Sequence, residues 1–258
     1  MLVAKFGQRP LDLKRCEEAS TNEITHYRAS RKDDQVTFLS DFVDTPGYGH
    51  FSKHKTWVKM IKNYISLQAL NVREQKESGV QEIDDSRVHL CLYFIRGPFV
   101  HPFDIDAMKI LSEWVSVLPV LAKADLYTSI ELAMLKRELT QRALACGLTW
   151  FDCNSCGGDQ LQNFRLPFAV SSFLKSKASE LLFSRRFPWG LEDEEDRSDF
   201  DLLVRMLLTH FVIPAVHSGK LRARQWVEKR KKKPSQLDGK FKALIAVTIR
   251  LSQYIFSC

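Results

Sequence analysis

The stretch Asp41-Phe42-Val43-Asp44-Thr45-Pro46-Gly47-Tyr48-Gly49-His50 constrains the fold of this chain more than any other. It follows a β-branched and aromatic run, Val36-Thr37-Phe38-Leu39, so it reads as a strand that breaks at an Asp and turns through Pro-Gly. In phosphate-binding α/β proteins, an Asp at the carboxyl end of a strand holds Mg²⁺ directly or through water. The following Gly lets its N–H approach a terminal phosphate with no side chain in the way. An Asp-x-Pro-Gly sequence is also an ordinary turn after a strand, so the rest of the chain must decide between the two.

That remainder alternates between two periods. Residues 1–34 are polar and irregular, with an edge strand near Glu23–Tyr27, and Val36–Asp44 is the first clear strand. Trp57, Met60/Ile61, Tyr64/Ile65 and Leu67 recur at helical spacing over Trp57–Leu70, and Arg73–Ser86 is charged and loop-like. Arg87–Ile95 is almost continuously apolar, as a parallel strand covered on both faces should be. A helix over Asp104–Val115, a strand over Val115–Ala122 and a helix capped by Thr128 and running to about Ala145 follow. Phe151–Phe164 reads as loop, Leu166–Ser171 and Phe183–Phe187 as strands, Glu192–Asp196 as an acidic turn, and Asp199–Val212 as a helix. Strands alternating with helices predict an α/β fold with a mostly parallel sheet.

The charge is unevenly placed. The net charge is +7, yet Gly219 to Cys258 holds eleven Lys/Arg against Glu228 and Asp238, or +9, which leaves −2 for residues 1–218. The basic cluster Lys229-Arg230-Lys231-Lys232-Lys233 precedes the apolar run Phe241–Phe256. A basic cluster beside an apolar stretch suits anionic membrane lipid, each basic residue near the surface giving about 1 kcal/mol. The same features also describe a solvated or nuclear-import basic run and a core helix of the domain. No nucleic-acid partner is expected.

Cys153-Asn154-Ser155-Cys156 has C-x-x-C spacing but no second pair or His cluster, so free loop thiols are expected rather than a metal or redox site. The N-terminus lacks the apolar core of a secretion signal, and no run reaches the roughly 18 apolar residues of a membrane span. A reducing, cytoplasmic setting is expected.

In a parallel sheet, ligands bind at the carboxyl ends of strands. Those ends read Asp44-Thr45-Pro46-Gly47, Ala122-Lys123-Ala124-Asp125 and Ala169-Val170-Ser171-Ser172. The Asp125 carboxylate can accept two N–H bonds from guanine N1 and the 2-amino group, a donor pair that adenine lacks. The aliphatic stem of Lys123 can lie along the face of the base. The alternative for Lys123 and Asp125, a solvated charge pair, loses force about 80 residues after an Asp-x-x-Gly turn.

At this point the chain resembles the septins, filament-forming guanine-nucleotide-binding proteins. The resemblance rests on Glu18-Ala19-Ser20-Thr21, Val43–Gly49, Arg87–Ile95, Pro102–Lys109, Leu118–Asp125, Pro167–Val170, Arg185-Arg186-Phe187-Pro188-Trp189-Gly190 and Ser198-Asp199-Phe200 leading to Met206-Leu207, over about residues 18–211. The Ala-Lys-Ala-Asp form and the Arg-x-Phe-Pro-Trp-Gly block are specific to that family.

The resemblance implies a three-layer α/β fold of P-loop GTPase type, a mostly parallel sheet with helices on both faces. It implies that Asp44 assists Mg²⁺ through water and that Gly47 binds the γ-phosphate of GTP. Asp125 and Lys123 would hold the guanine of GTP or GDP, Ser171 and Ser172 would form the base-side loop, and Arg185 would contact the base. Trp189 would sit where subunits meet across their nucleotides, either at that contact or as a core packing residue. The implied partners are other septin subunits, as homo- or hetero-oligomers, and the implied setting is the cytoskeleton and cell cortex during cytokinesis, with Lys229, Arg230, Lys231, Lys232 and Lys233 as candidate lipid contacts.

The sequence departs from the family in one large respect. No G-x-x-x-x-G-K-[ST] occurs in it, the loop whose N–H groups, Lys and hydroxyl carry most phosphate and Mg²⁺ contacts. Weak or absent GTP binding and no useful turnover are therefore expected, from either a truncated septin or a pseudo-GTPase, the former favoured because the missing part is a clean block. The expected organisation is a lead-in with a remnant switch over residues 1–34, an incomplete septin-type G domain over 35–217, and a basic and apolar tail over 218–258.

Overall fold

The computed structural model describes residues 24–33, 36–47, 54–79, 81, 85–148, 150, 166–171, 175–177, 180–182, 184–187, 190–193, 198–209 and 247–255. Its strands and helices are β1 (Thr25–Asp33), β2 (Val36–Asp44), α1 (His54–Glu77), β3 (Leu90–Ile95), α2 (Pro102–Ser112), β4 (Ser116–Ala122) and α3 (Ser129–Ala145). After them come β5 (Phe168–Val170), β6 (Lys175–Lys177), β7 (Glu180–Leu182), β8 (Ser184–Phe187), β9 (Gly190–Asp193), α4 (Phe200–Thr209) and β10 (Val247–Ile255). Six strands hydrogen-bond in the order β1-β2-β10-β3-β4-β5, and β6-β7 and β8-β9 form two separate antiparallel pairs. The strands β3, β4 and β5 are the parallel part of the sheet, with Val120 opposite Phe168 and Ala122 opposite Val170. The α/β class expected from the alternating periods is the class observed.

Contacts group the chain into two units: Met1–Tyr93 with Asp106–Val117 and Val212–Cys258, and Phe94–Ile105 with Leu118–Phe211. In the first unit, β1 pairs with β2 over its whole length, from Thr25 opposite Asp44 to Asp33 opposite Val36. The edge strand anticipated near Glu23–Tyr27 is therefore longer than expected. Phe42, Val43, Trp57, Val58, Ile61, Ile65, Leu90 and Leu92 are all buried here, and each large apolar side chain contributes about 1.5–3 kcal/mol. Helix α1 runs to Glu77 rather than ending near Leu70. Buried Val72 carries the apolar face one turn further, and the exposed Arg73–Glu77 pair lies at i,i+4 spacing in the last turns.

The C-terminal run differs most from expectation. Residues 247–255 form β10, hydrogen-bonded antiparallel to both β2 and β3. The sequence carries this result: Val247, Ile249, Leu251 and Ile255 alternate with Thr248, Arg250, Ser252 and Tyr254, a period of two rather than of a helix.

Strand β4 is buried from Ser116 through Leu121, and β5, in the second unit, over all three residues, as strands covered on both faces are. Thr128 caps α3 as expected, and the cap is reciprocal. Its Oγ1 accepts from the Glu131 N–H, while the Glu131 carboxylate accepts from the Thr128 N–H at 2.8 Å. The Thr128 N–H and, after it, the Thr128 hydroxyl both donate to that carboxylate and hold it below its ordinary range. The carboxylate of Asp104 accepts from the His101 N–H, so it caps α2 from inside the first turn.

Candidate functional site

In the first unit, β2 delivers Asp44 to a turn, Thr45-Pro46-Gly47. Asp44 Oδ1 accepts from the Thr45 N–H at 3.0 Å, which folds the carboxylate back over the start of the turn. Pro46 is buried, and its carbonyl accepts from the indole N–H of Trp57 at 3.0 Å. That bond ties the turn to the first turn of α1. Gly47 is exposed, and a Cβ built there would meet nothing within 4 Å, so its backbone stands open to a ligand.

Thr45 is only 3% exposed, and its Oγ1 has no hydrogen-bond partner among the described residues. A buried hydroxyl left without a partner costs about 1–3 kcal/mol, which a ligand oxygen or a water at the turn would recover. The oxygens of Asp44 and Thr45 are hard donors of the kind Mg²⁺ takes. Among the described residues no three His, Cys, Asp or Glu side chains are grouped to hold a metal by themselves. The oxygens present fit an ion that this turn would hold only in part.

In the second unit, β4 ends at Ala122, and Lys123 adopts a left-handed conformation, φ 58° and ψ 46°. For a residue with a Cβ this costs roughly 1–2 kcal/mol, and it turns the chain into the 3-10 turn Ala124–Leu126. The turn is closed by the Leu126 N–H to the Lys123 carbonyl at 3.0 Å and the Tyr127 N–H to the Ala124 carbonyl at 3.2 Å. The result separates the two candidate base-reading residues: Lys123 is exposed, whereas Asp125 is 8% exposed. A carboxylate so sheltered from water is placed to accept directional hydrogen bonds rather than to act as a diffuse surface charge. Burial raises the Tyr127 hydroxyl above its ordinary range, against an opposing bond from the Gly97 backbone.

Ser171 follows β5 and is buried, and its N–H donates to Ser198 Oγ at 3.2 Å. Beside it, Asp199 completes the open side of β5. Its N–H donates to the Ala169 carbonyl at 2.7 Å, and its Oδ2 accepts from the Ala169 N–H at 2.8 Å. The same Oδ2 accepts from Lys136 Nζ of α3 at 2.6 Å, and the Asp199 carbonyl accepts from Leu203 at the start of α4. Asp199 thus fixes the strand end that carries Ser171. Sequence reasoning placed it only at the start of a helix, where an Asp is ordinary.

The structure brings together Asp44 with Gly47 in one unit, and Lys123, Asp125 and Ser171 in the other. Arg185 lies on β8, with its backbone opposite Glu192. Ser172, Trp189, Lys229, Arg230, Lys231, Lys232 and Lys233 lie outside the described residues, as do Cys153, Cys156 and the Glu18–Thr21 block. No helix among the described residues is long and apolar enough to cross a membrane.

Against known proteins, residues 5–223 match the family model described as Septin. Septin-4 of Homo sapiens is 33% identical over 209 residues, covering 74% of this chain and 43% of the relative. Septin-1 of Drosophila melanogaster is 32% identical over 211 residues, covering 75% of this chain and 56% of the relative. Septin homolog spn4 of Schizosaccharomyces pombe is 26% identical over 232 residues, covering 84% and 60%. The chain thus spans about half the length of the curated relatives it matches. Among solved structures, the septin GTPase domain of Chlamydomonas reinhardtii superposes with a TM-score of 0.64 at 24% identity, covering 85% of each chain. That likeness establishes the P-loop GTPase-like α/β fold.

Proposed function

The chain belongs to the septin family, and from that premise we propose that it is a guanine-binding scaffold subunit that retains base recognition and holds phosphate weakly. The observation that carries this reading is the sheltered Asp125 carboxylate, held in a closed turn beside the exposed stem of Lys123. Asp125 accepts from guanine N1–H and the 2-amino group, Lys123 covers the ring face, and Ser171, Ser172 and Arg185 complete the base side. Asp44 and Gly47 take the phosphate side, and Asp44 would help hold Mg²⁺. When bound, the ion neutralises phosphate charge.

These 258 residues hold no G-x-x-x-x-G-K-[ST], so they bring fewer of the phosphate contacts such a loop supplies. Each charge-assisted contact removed weakens binding by about 1.5–3 kcal/mol. The role that remains is assembly with other septin subunits across the nucleotide face, with Trp189 at that contact. The basic residues Lys229 to Lys233 add attraction to anionic lipid.

The test is the nucleotide content of the purified chain, with guanosine and adenosine nucleotides competing for it. A guanine preference lost in Asp125→Ala, with affinity little changed from GMP to GTP, is the expected result. One GDP retained per chain through purification would defeat the weak-phosphate reading, and equal binding of adenine would defeat the role of Asp125.

A further inference from the structure

The central strand of the sheet comes from the far end of the chain. Strand β10 lies outside the family match at residues 5–223, yet it sits between β2 and β3. It is antiparallel to both, so β2 and β3 run parallel to each other with a reversed strand between them. Its register on β2 runs from Thr248 opposite Val43 to Ile255 opposite Val36, and on β3 from Val247 opposite Leu92 to Ile249 opposite Leu90.

One row of this register is chemically distinctive. Asp41 of β2 stands opposite Arg28 of β1 on one side and opposite Arg250 of β10 on the other. Asp41 is 8% exposed and is gripped by Arg28 through two hydrogen bonds, Nε to Oδ1 at 2.7 Å and Nη2 to Oδ2 at 3.0 Å. Directly opposed residues of an antiparallel pair have Cβ atoms about 4.5–5.5 Å apart, so the row Arg28, Asp41, Arg250 alternates charge across three strands. A slip of one residue would break that row and send every alternate residue to the wrong face.

We propose that the slot between β2 and β3 is a strand-binding site whose fitted occupant is this chain's own segment Val247–Ile255, with Asp41 selecting the register through Arg250. The docked strand has two consequences. At the Asp44 end, β10 contributes its own beginning, Val247 and Thr248, so the slot is closed to a second strand that would bring a phosphate-cradling loop to Asp44. The segment Val247–Ile255 is committed to the sheet rather than to a lipid surface.

Cys91 makes the slot directly testable, because Thr248 stands opposite it across the β10–β3 pair. In a full-length chain with Cys16, Cys146, Cys153, Cys156 and Cys258 replaced by Ser, Thr248→Cys should join Cys91 during refolding in a glutathione buffer. Val247→Cys and Ile249→Cys, which fall on the opposite face of the strand, should join it severalfold less. Peptide mapping reads the linkage. No linkage at 248, or equal linkage at all three positions, overturns the docked register.

The selecting role of Asp41 is read in the same chain. Arg250→Glu should cut the 248–91 linkage severalfold, Arg250→Lys should preserve it, and the inverted row Arg28→Glu, Asp41→Arg, Arg250→Glu should restore it. Undiminished linkage in Arg250→Glu, or no restoration by the inverted row, overturns that role. Nucleotide binding is not read in either arm, so these results stand apart from those that test guanine recognition.

Discussion

Trp57 donates its indole N–H to the carbonyl of Pro46 at 3.0 Å, and the bond is buried. The turn that presents Gly47 is therefore held by a side chain ten positions further along, at the start of α1. Trp57→Phe keeps most of the ring packing against Tyr93, 6.1 Å away centroid to centroid, but removes the donor. The Pro46 carbonyl is then buried without that partner, a loss of about 1–3 kcal/mol. A fall in Tm of several degrees is expected by thermal unfolding, with Trp57→Leu falling further. An unchanged Tm in Trp57→Phe would show that the bond contributes nothing to the turn.

Lys136 and Asp199 join elements 63 residues apart through a 2.6 Å contact. Because Asp199 Oδ2 also accepts from the Ala169 N–H, Asp199→Ala strips a strand end of an acceptor and leaves an ammonium unpaired. A loss of about 2–4 kcal/mol is expected, against a smaller loss for Lys136→Met, which leaves the Ala169 bond intact. A double-mutant cycle in denaturant checks the coupling, and strict additivity of the two variants would sink it.

What could be read from the sequence was local. Thr128 and Glu131 lie three residues apart, and their reciprocal cap follows from spacing alone. The strand-end turns at Asp44 and Lys123 were legible because Pro-Gly and an Asp after an apolar run are signals contained in a few residues. Partners chosen by tertiary approach were not legible. Nothing near Ala169 announces that Asp199 will complete its hydrogen bonds, and nothing near Trp57 announces Pro46 as its acceptor. The run Phe241–Phe256 follows the basic cluster of a tail, and only pairing with β2 and β3 reveals that Val247–Ile255 belongs to the sheet. The helix end was misjudged for a related reason. Arg73 to Glu77 looks like loop by composition, but buried Val72 holds the turn before it.

The buried thiols and exposed thiols should separate by reactivity. Burial pushes the Cys91 thiol up to about 12, whereas Cys146 lies exposed just after α3. With iodoacetamide at about pH 8, near the ordinary thiol value, Cys146 should be alkylated within minutes in the native chain. Cys91 should react only once denaturant opens the sheet. Mass spectrometry of tryptic peptides distinguishes them, and comparable native labelling of both would contradict the packing around β3.

Acid should weaken the approach to β3 through Asp85. Its carboxylate is paired with the Arg87 guanidinium through two hydrogen bonds, and His89 Nε2 lies 3.6 Å away. Burial alone would raise its pKa, but the hydrogen bonds from Arg87, with His89 close by, hold it well below the usual carboxylate range. A folded-state value below the unfolded value of about 3.9 means the stabilisation is complete above about pH 5. It fades as the pH falls below about 4, because the unfolded chain then takes up a proton that the folded chain resists. Asp85→Asn removes the charge at every pH, so its Tm should lie below the parent near pH 7. The gap should begin to narrow as both are taken below about pH 4 toward pH 3. Thermal unfolding of the two chains from pH 7 to pH 3 checks this, and a gap that stays constant across the range would show that Asp85 stabilises the strand without its charge.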